Sequence, residues 1–265
     1  NLAARGLRTE RTGTIGVLVH DIMSPFAAQL VRGIQDALIP HDYICLIVNS
    51  DRNPTVEQNA LSGLLQRPVD GIINAEYSQM PRNERLEHMG KPYVFVNRLF
   101  ASQTPNSVAP DDYGGARLAT RHLVDLGHKH IGYINGTANW DASSMRMNGW
   151  RDELEAHGLE VRAEWTGQSD WDIEKGYEAA ARMLTLRERP TAIFAANDFN
   201  AAGAIYAAQD AGLRVPKDLA VVGYDNREIT RHFRPKITTV ELPLYDMGRI
   251  AADILYNQIN GGEPL

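Results

Sequence analysis

TIGVLVHDIMSPFAAQLVRGIQDALIPHDYICLIVN, residues 14–49, is the stretch that decides the fold. TIGVLVH (14–20) and YICLIVN (43–49) are strand-length apolar runs rich in branched side chains. Between them, Phe26, Leu30, Ile34 and Leu38 recur every four residues, so residues 25–39 wind an apolar stripe onto one helix face. Strands apolar on both faces need cover on both, and a helix linking two of them makes the pair parallel. The plan continues with DGIIN (70–74) and YVFVN (93–97) around a helix at 54–67. A second half repeats it: HIGYIN (130–135), TAIFAA (191–196) and LAVVGYD (219–225) are strands, with helices at 112–126, 144–157, 173–187, 199–211 and 243–259. Gly127, Gly158 and Gly212 stand where helix ends require a left-handed residue. The prediction is an α/β fold of two lobes, each a parallel sheet flanked by helices.

A chain of 265 residues, 43% hydrophobic and 23% charged, can bury a sizeable core and need not be disordered. The net charge of −6 counts against a self-sufficient nucleic-acid binder. That charge is unevenly spread: residues 1–14 hold Arg5, Arg8 and Arg11 against Glu10, a balance of +2 that leaves −8 for the other 251 residues. Cys45 is the one cysteine, so an internal disulfide framework and a cysteine-built zinc site are excluded, in keeping with a reducing compartment. No apolar run approaches the roughly 20 residues of a membrane span. The first residue is Asn1 rather than methionine, and the expectation is a fragment of a longer protein.

In open parallel sheets ligands sit beyond the carboxyl ends of the strands. The residues there are His20, Asp21, Asn49, Asp51, Asn97, Arg98, Asn135, Asn197, Asp198, Asp225 and Asn226, almost all hydrogen-bonding, while the strand bodies are apolar. Their recurrence predicts a polar ligand cleft. Nothing predicts catalysis. The loop after the first strand is DIMSP rather than a glycine-rich phosphate cradle, and no P-loop, G-x-S-x-G elbow or H-E-x-x-H occurs. His128 and His130 alternate at a strand start and so divide between two faces instead of pairing on a metal. Asp111, Asp112 and Asp225 have no nucleophile or partnered base beside them, and Asp111 reads as a helix cap. No cofactor and no metal are expected.

IGVLVHDIMSPFAAQLVRGIQ, VDGIIN, RHLVDLGHKHIGYING, SMRMNGWRDEL, ANDFNAAGAIYAAQDAGLRVPKDLAVVGYDN and PKITTVELPLYDMGRIAADIL, in that order, resemble the ligand-binding core of the lactose/galactose-repressor family of bacterial transcription regulators. The resemblance implies a periplasmic-binding-protein-like fold: a hinge-helix remnant and linker at 1–13, one lobe from 14–109 with 242–265, another from 110–241, and a small molecule held in the cleft. It also implies a cytoplasmic homodimer that binds operator DNA through a helix-turn-helix headpiece preceding Asn1, with helices 25–39 and 54–67 as candidate dimer elements. NLAARGLR then resembles the end of the hinge helix, Leu7 being the minor-groove wedge and Ala3 and Ala4 the close-packed face.

The resemblance assigns ligand contacts to Arg146, Asp225, Asn197, Trp171, Phe26, Asn97, His20 and Asp21. Arg146 offers a planar set of donors, Asp225 accepts from hydroxyls, and Trp171 presents a flat face to a sugar ring. Asp198 is expected to cap the following helix, and Trp140 and Asp141 to close over the pocket. One departure is that Glu241 and Leu242 follow T-T-V where the sugar repressor has a glutamine, so the ligand need not be a galactoside. The chain also stops at GGEPL where the family adds a strand or two. The expected effector is a small polyhydroxylated molecule. The competing readings are a secreted sugar-binding protein of an importer, which predicts a signal peptide, and an enzyme on an α/β scaffold.

Overall fold

The computed structural model describes residues 11–51, 53–75, 90–97, 106–138 and 140–262. Leu7, Ala4 and Ala3, expected in the hinge, and Arg98 lie outside the described residues. In chain order the elements are β1 (Thr14–Val19), α1 (Pro25–Leu38), β2 (Ile44–Asn49), α2 (Pro54–Leu65), β3 (Gly71–Ala75), β4 (Tyr93–Val96), β5 (Ser107–Val108) and α3 (Asp112–Asp125). There follow β6 (Ile131–Asn135), α4 (Asp141–Ala156), β7 (Thr166–Gln168), α5 (Ile173–Leu184), β8 (Ala192–Ala195), α6 (Asp198–Asp210), β9 (Ala220–Asp225), α7 (Ile229–His232), β10 (Thr238–Glu241) and α8 (Leu244–Ile259).

The chain forms two compact units, Asn1–Pro110 with Pro243–Leu265, and Asp111–Leu242. Each holds a five-stranded sheet, ordered β2-β1-β3-β4-β5 in the first and β7-β6-β8-β9-β10 in the second. All pairings are parallel; Ile15 lies opposite both Cys45 and Gly71, and Ile134 opposite Ala195. In both sheets the order reverses beside the first strand, which opens a crevice at the carboxyl ends between β1 and β3, and between β6 and β8.

Local sequence sets the helix starts. Ser24 Oγ accepts from the Phe26 N–H with Pro25 in the first turn, Asn53 caps α2 ahead of Pro54, and Asp111 accepts from Gly114 N–H at 2.8 Å as expected. At α6 the cap is Asn197, whose Oδ1 accepts from Asn200 N–H at 2.8 Å, and not Asp198. Asp198 is already the first helical residue, and its carboxylate turns to other partners. Gly127, Gly158 and Gly212 all have positive φ, as helix ends closed by a left-handed residue require.

Each sheet is covered on both faces. In the first unit Leu18, Leu61, Leu64, Val69, Ile72 and Phe95 form the core on the α2 side. On the other face α1 and α8 pack so closely that a Cβ on Gly33 would overlap the Tyr245 carbonyl, and one on Gly248 that of Leu30. In the second unit α5 and α6 bury Ile134, Met183, Ile193, Ile205 and Leu219 on one face. On the other, Trp150 of α4 stacks on Tyr133 with ring centroids 5.4 Å apart. The wholly buried Glu153 carboxylate there takes Arg117 Nε at 2.7 Å and Arg121 Nε at 2.6 Å. Burial works against that charge, but the two arginines hold the carboxyl below its ordinary range.

Candidate functional site

The polar end of the second sheet is built around a buried arginine. Arg146, on the inner face of α4, is 4% exposed, so its charge must be paired. Nε donates to Asp112 Oδ1 at 2.7 Å, and Nη1 donates to the Ala196 carbonyl and lies 3.4 Å from Asp225 Oδ1. The guanidinium also lies 3.7 Å above the Tyr224 ring and 5.6 Å from that of Trp171. Burial disfavours the charged arginine, yet the Asp112 and Asp225 carboxylates outweigh this and raise its pKa. Asp112 feels the converse: burial pushes its pKa up, and Arg146 only partly restores it. Nη2 of Arg146 has no protein partner among the described residues, which leaves a fixed guanidinium with donors to offer.

The residues around it are held in unusual backbone conformations. Trp171, Asp225 and Asn226 have φ of 67°, 102° and 54°, a region that costs energy for non-glycine residues and is characteristic of binding sites. Trp171 is kept there by Asn197 Nδ2, which donates to its carbonyl at 3.0 Å. Its indole covers Gly136, the residue after β6, where any Cβ would fall inside the ring. Trp140 lies against it, ring centroids 5.7 Å apart, so two aromatic faces adjoin the Arg146 end of the site. Asp225 is held on both oxygens, Oδ1 by Arg146 and Oδ2 by Arg227 Nε at 2.8 Å.

The second sheet thus brings together Arg146, Asp225, Asn197 and Trp171 at its β6/β8 crevice. The residues expected from the first half lie at the matching end of the first sheet. His20, 3% exposed, follows β1, with its ring 5.6 Å from that of Phe26, itself 4% exposed at the start of α1. Asp21 Oδ1 accepts from Met23 N–H at 2.9 Å and shapes the loop into α1. Asn97 follows β4 with φ 63°, its N–H donating to the Val108 carbonyl at 2.7 Å. His128 and His130 take separate roles, Nδ1 of His128 lying 3.0 Å from Thr191 Oγ1 and the His130 ring 4.8 Å from Trp165.

Four participants escape sequence reasoning: Asp112, Tyr224, Arg227 and Thr239. Asp112 hides beside the capping Asp111, and Tyr224 reads as a strand residue. The one available signal is the D-N-R sequence at 225–227, where an arginine two residues past a strand-end aspartate can fold back on it. Leu242, read as the loss of a polar contact, is buried, and its N–H points at the Asp225 carbonyl, 3.4 Å away.

Residues 12–264 match the family model for periplasmic binding proteins and the sugar-binding domain of the LacI family. Catabolite control protein A of Priestia megaterium is 35% identical over 262 residues, covering 98% of this chain and 79% of that protein. The HTH-type transcriptional repressor PurR of Serratia proteamaculans is 32% identical over 259 residues, covering 97% of this chain and 76% of that protein. Among solved structures, the transcriptional regulator CelR in complex with cellobiose superposes with a TM-score of 0.85 at 30% identity, covering 96% of this chain and 81% of that one. CcpA of Lactococcus lactis gives 0.84 at 28%, covering 94% and 92%. These relatives are regulators of transcription rather than enzymes. Fold, family model and relatives agree: the chain belongs to the LacI family, matching its periplasmic-binding-protein-like, sugar-binding domain.

Proposed function

We propose that this chain is the effector-sensing core of a bacterial transcriptional repressor, taking a small polyhydroxylated molecule, a sugar or sugar-like compound, at the polar carboxyl ends of its sheets. The observation that carries this reading is Arg146: a buried, doubly paired guanidinium whose Nη2 has no partner among the described residues, beside the Asp225 carboxyl group and two indoles. Adjacent hydroxyls both donate and accept, which suits Asp225 next to Arg146, while the C–H face of a sugar ring suits Trp171 and Trp140. Asn197 acts by holding Trp171 in place with its amide, and His20, Asp21, Phe26 and Asn97 are the candidate contacts from the first unit. The CelR structure, whose ligand is cellobiose, supports a carbohydrate.

In this mechanism the effector binds one arrangement of the lobes better than the other and shifts the population by that difference alone. A homodimer carries the change to operator DNA through the hinge residues Leu7, Ala4 and Ala3 and a headpiece supplied upstream. The test is operator binding by the full-length product of the gene, titrated with a panel of mono- and disaccharides. The expected result is that at least one sugar changes operator affinity by fivefold or more, about 1 kcal/mol of coupling. Operator affinity indifferent to every sugar in the panel contradicts the reading.

A further inference from the structure

The two places where the chain passes between its units lie at Pro110/Asp111 and Leu242/Pro243. Asp112, the partner of Arg146, is two residues past the first crossing. Thr239 of β10 is three residues before the second. A continuous line of hydrogen bonds and ion pairs, side chain and backbone, joins them. Arg146 Nε donates to Asp112 Oδ1 at 2.7 Å, and its Nη1 faces Asp225 Oδ1 at 3.4 Å. Arg227 Nε donates to Asp225 Oδ2 at 2.8 Å, and its backbone N–H to Asp198 Oδ2 at 2.7 Å. Thr239 Oγ1 donates to Asp198 Oδ1 at 2.6 Å and accepts from Asn226 N–H at 3.2 Å.

Asp198 is the hub of this line. It is wholly buried, it makes no cap for its own helix, and Gly223 leaves it room: a Cβ there would lie 2.5 Å from Oδ1. Both of its oxygens are committed to the left-handed turn that carries Asp225, one through Arg227 and one through Thr239. A buried carboxylate that neither caps a helix nor pairs with a cation side chain needs another reason to be there.

We propose that Asp198 is a positioning residue that locks Asp225 and Arg146 to both chain crossings, so that a shift of Arg146 is felt at Asp112 and at Thr239 together. A ligand that draws Arg146 or Asp225 toward it moves the ends of both connections through contiguous, stiff hydrogen bonds. The Leu242 N–H to Asp225 carbonyl contact, 3.4 Å long, adds a second tie to the later crossing. The inference rests on the ligand site assigned above, but not on which molecule occupies it.

The test is amide hydrogen exchange on the unliganded chain, so its failure leaves the effector reading untouched. Thr239→Val removes the hydroxyl and keeps the shape. It is expected to accelerate exchange about threefold or more at Asn226 and Arg227, and also at Gly114 and Gly115 in the first turn of α3, with Ile131–Asn135 unchanged. Asp112→Asn is expected to give the reciprocal result, faster exchange at Asn226 and Arg227. Where Thr239→Val does not fold, Asp198→Asn is read in the same way. Wild-type rates at Gly114 and Gly115, or acceleration spread evenly through the unit with Ile131–Asn135 included, overturn the proposal.

Discussion

The two units share one strand order and one way of opening a crevice, yet they furnish that crevice differently. At the end of the second sheet three buried ionisable residues, Asp112, Arg146 and Asp225, interlock, with Asp198 and Arg227 behind them. At the end of the first sheet the buried groups among the described residues are uncharged or aromatic: His20, Phe26, Ser50 and Asn74. The same topology therefore supplies the position of a site, and side chains that topology does not dictate supply its chemistry. Among the described residues, the buried charged cluster lies at the end of the second sheet, and the proposed contacts from the first are His20, Phe26, Asn97 and Asp21.

The sharpest way to break this contrast is to remove the central charge. Arg146→Ala leaves Asp112 without its cation and Asp225 with Arg227 alone, both carboxylates being 6% exposed, and is expected to cost about 3–5 kcal/mol in denaturant unfolding. His20→Ala in the first unit is expected to cost about 1–3 kcal/mol, the loss of one buried polar side chain and its packing. Equal costs would erase the distinction between the units.

Asp198 gives the second unit a pH signature near neutrality. Burial raises its pKa from 3.8 to about 7, so the folded state holds a proton that the unfolded chain releases earlier. The stabilisation is complete below the unfolded value and is lost as pH rises through about 7. Thermal unfolding should therefore show Tm falling between pH 5 and 8, by an equivalent of about 3 kcal/mol, and Asp198→Asn should flatten that slope. An unchanged slope in the variant would assign the pH dependence elsewhere.

Smaller effects test the scaffold of each site. Gly136→Ala forces the Trp171 indole off its seat and is expected to cost about 1–3 kcal/mol with a shift in tryptophan emission. Asn53→Ala removes the α2 cap in the first unit and should lower stability by about 1 kcal/mol without altering that emission.

Much of this architecture is legible in the sequence. Seven of the strands are long apolar runs that alternate with amphipathic helices, and that alternation has only parallel solutions. The strands β5, β7 and β10 are not legible, being two to four residues long and lying at or next to sheet edges, where short segments show no periodicity. The candidate site divides in the same way. Strand-end residues such as Asn197 and Asp225 announce themselves because they break an apolar run. Asp112 and Thr239 do not, because their roles arise from partners distant in sequence. Arg146 meets Asp112 across 34 positions and Asp225 across 79. That Asn197 and not Asp198 caps α6 is hidden for a related reason: the A-N-D sequence fits a cap at either residue, and the half-buried Thr239 hydroxyl, distant in sequence, engages Asp198.

The central claim, that the charged end of the second sheet recognises the effector, is tested most directly by calorimetric titration of a sugar panel against wild type, Arg146→Ala, Asp225→Ala and His20→Ala. The account predicts that the sugar bound by wild type loses about 100-fold or more in affinity with either of the first two variants, roughly 3 kcal/mol, and far less with the third. Binding undiminished in both Arg146→Ala and Asp225→Ala would contradict it.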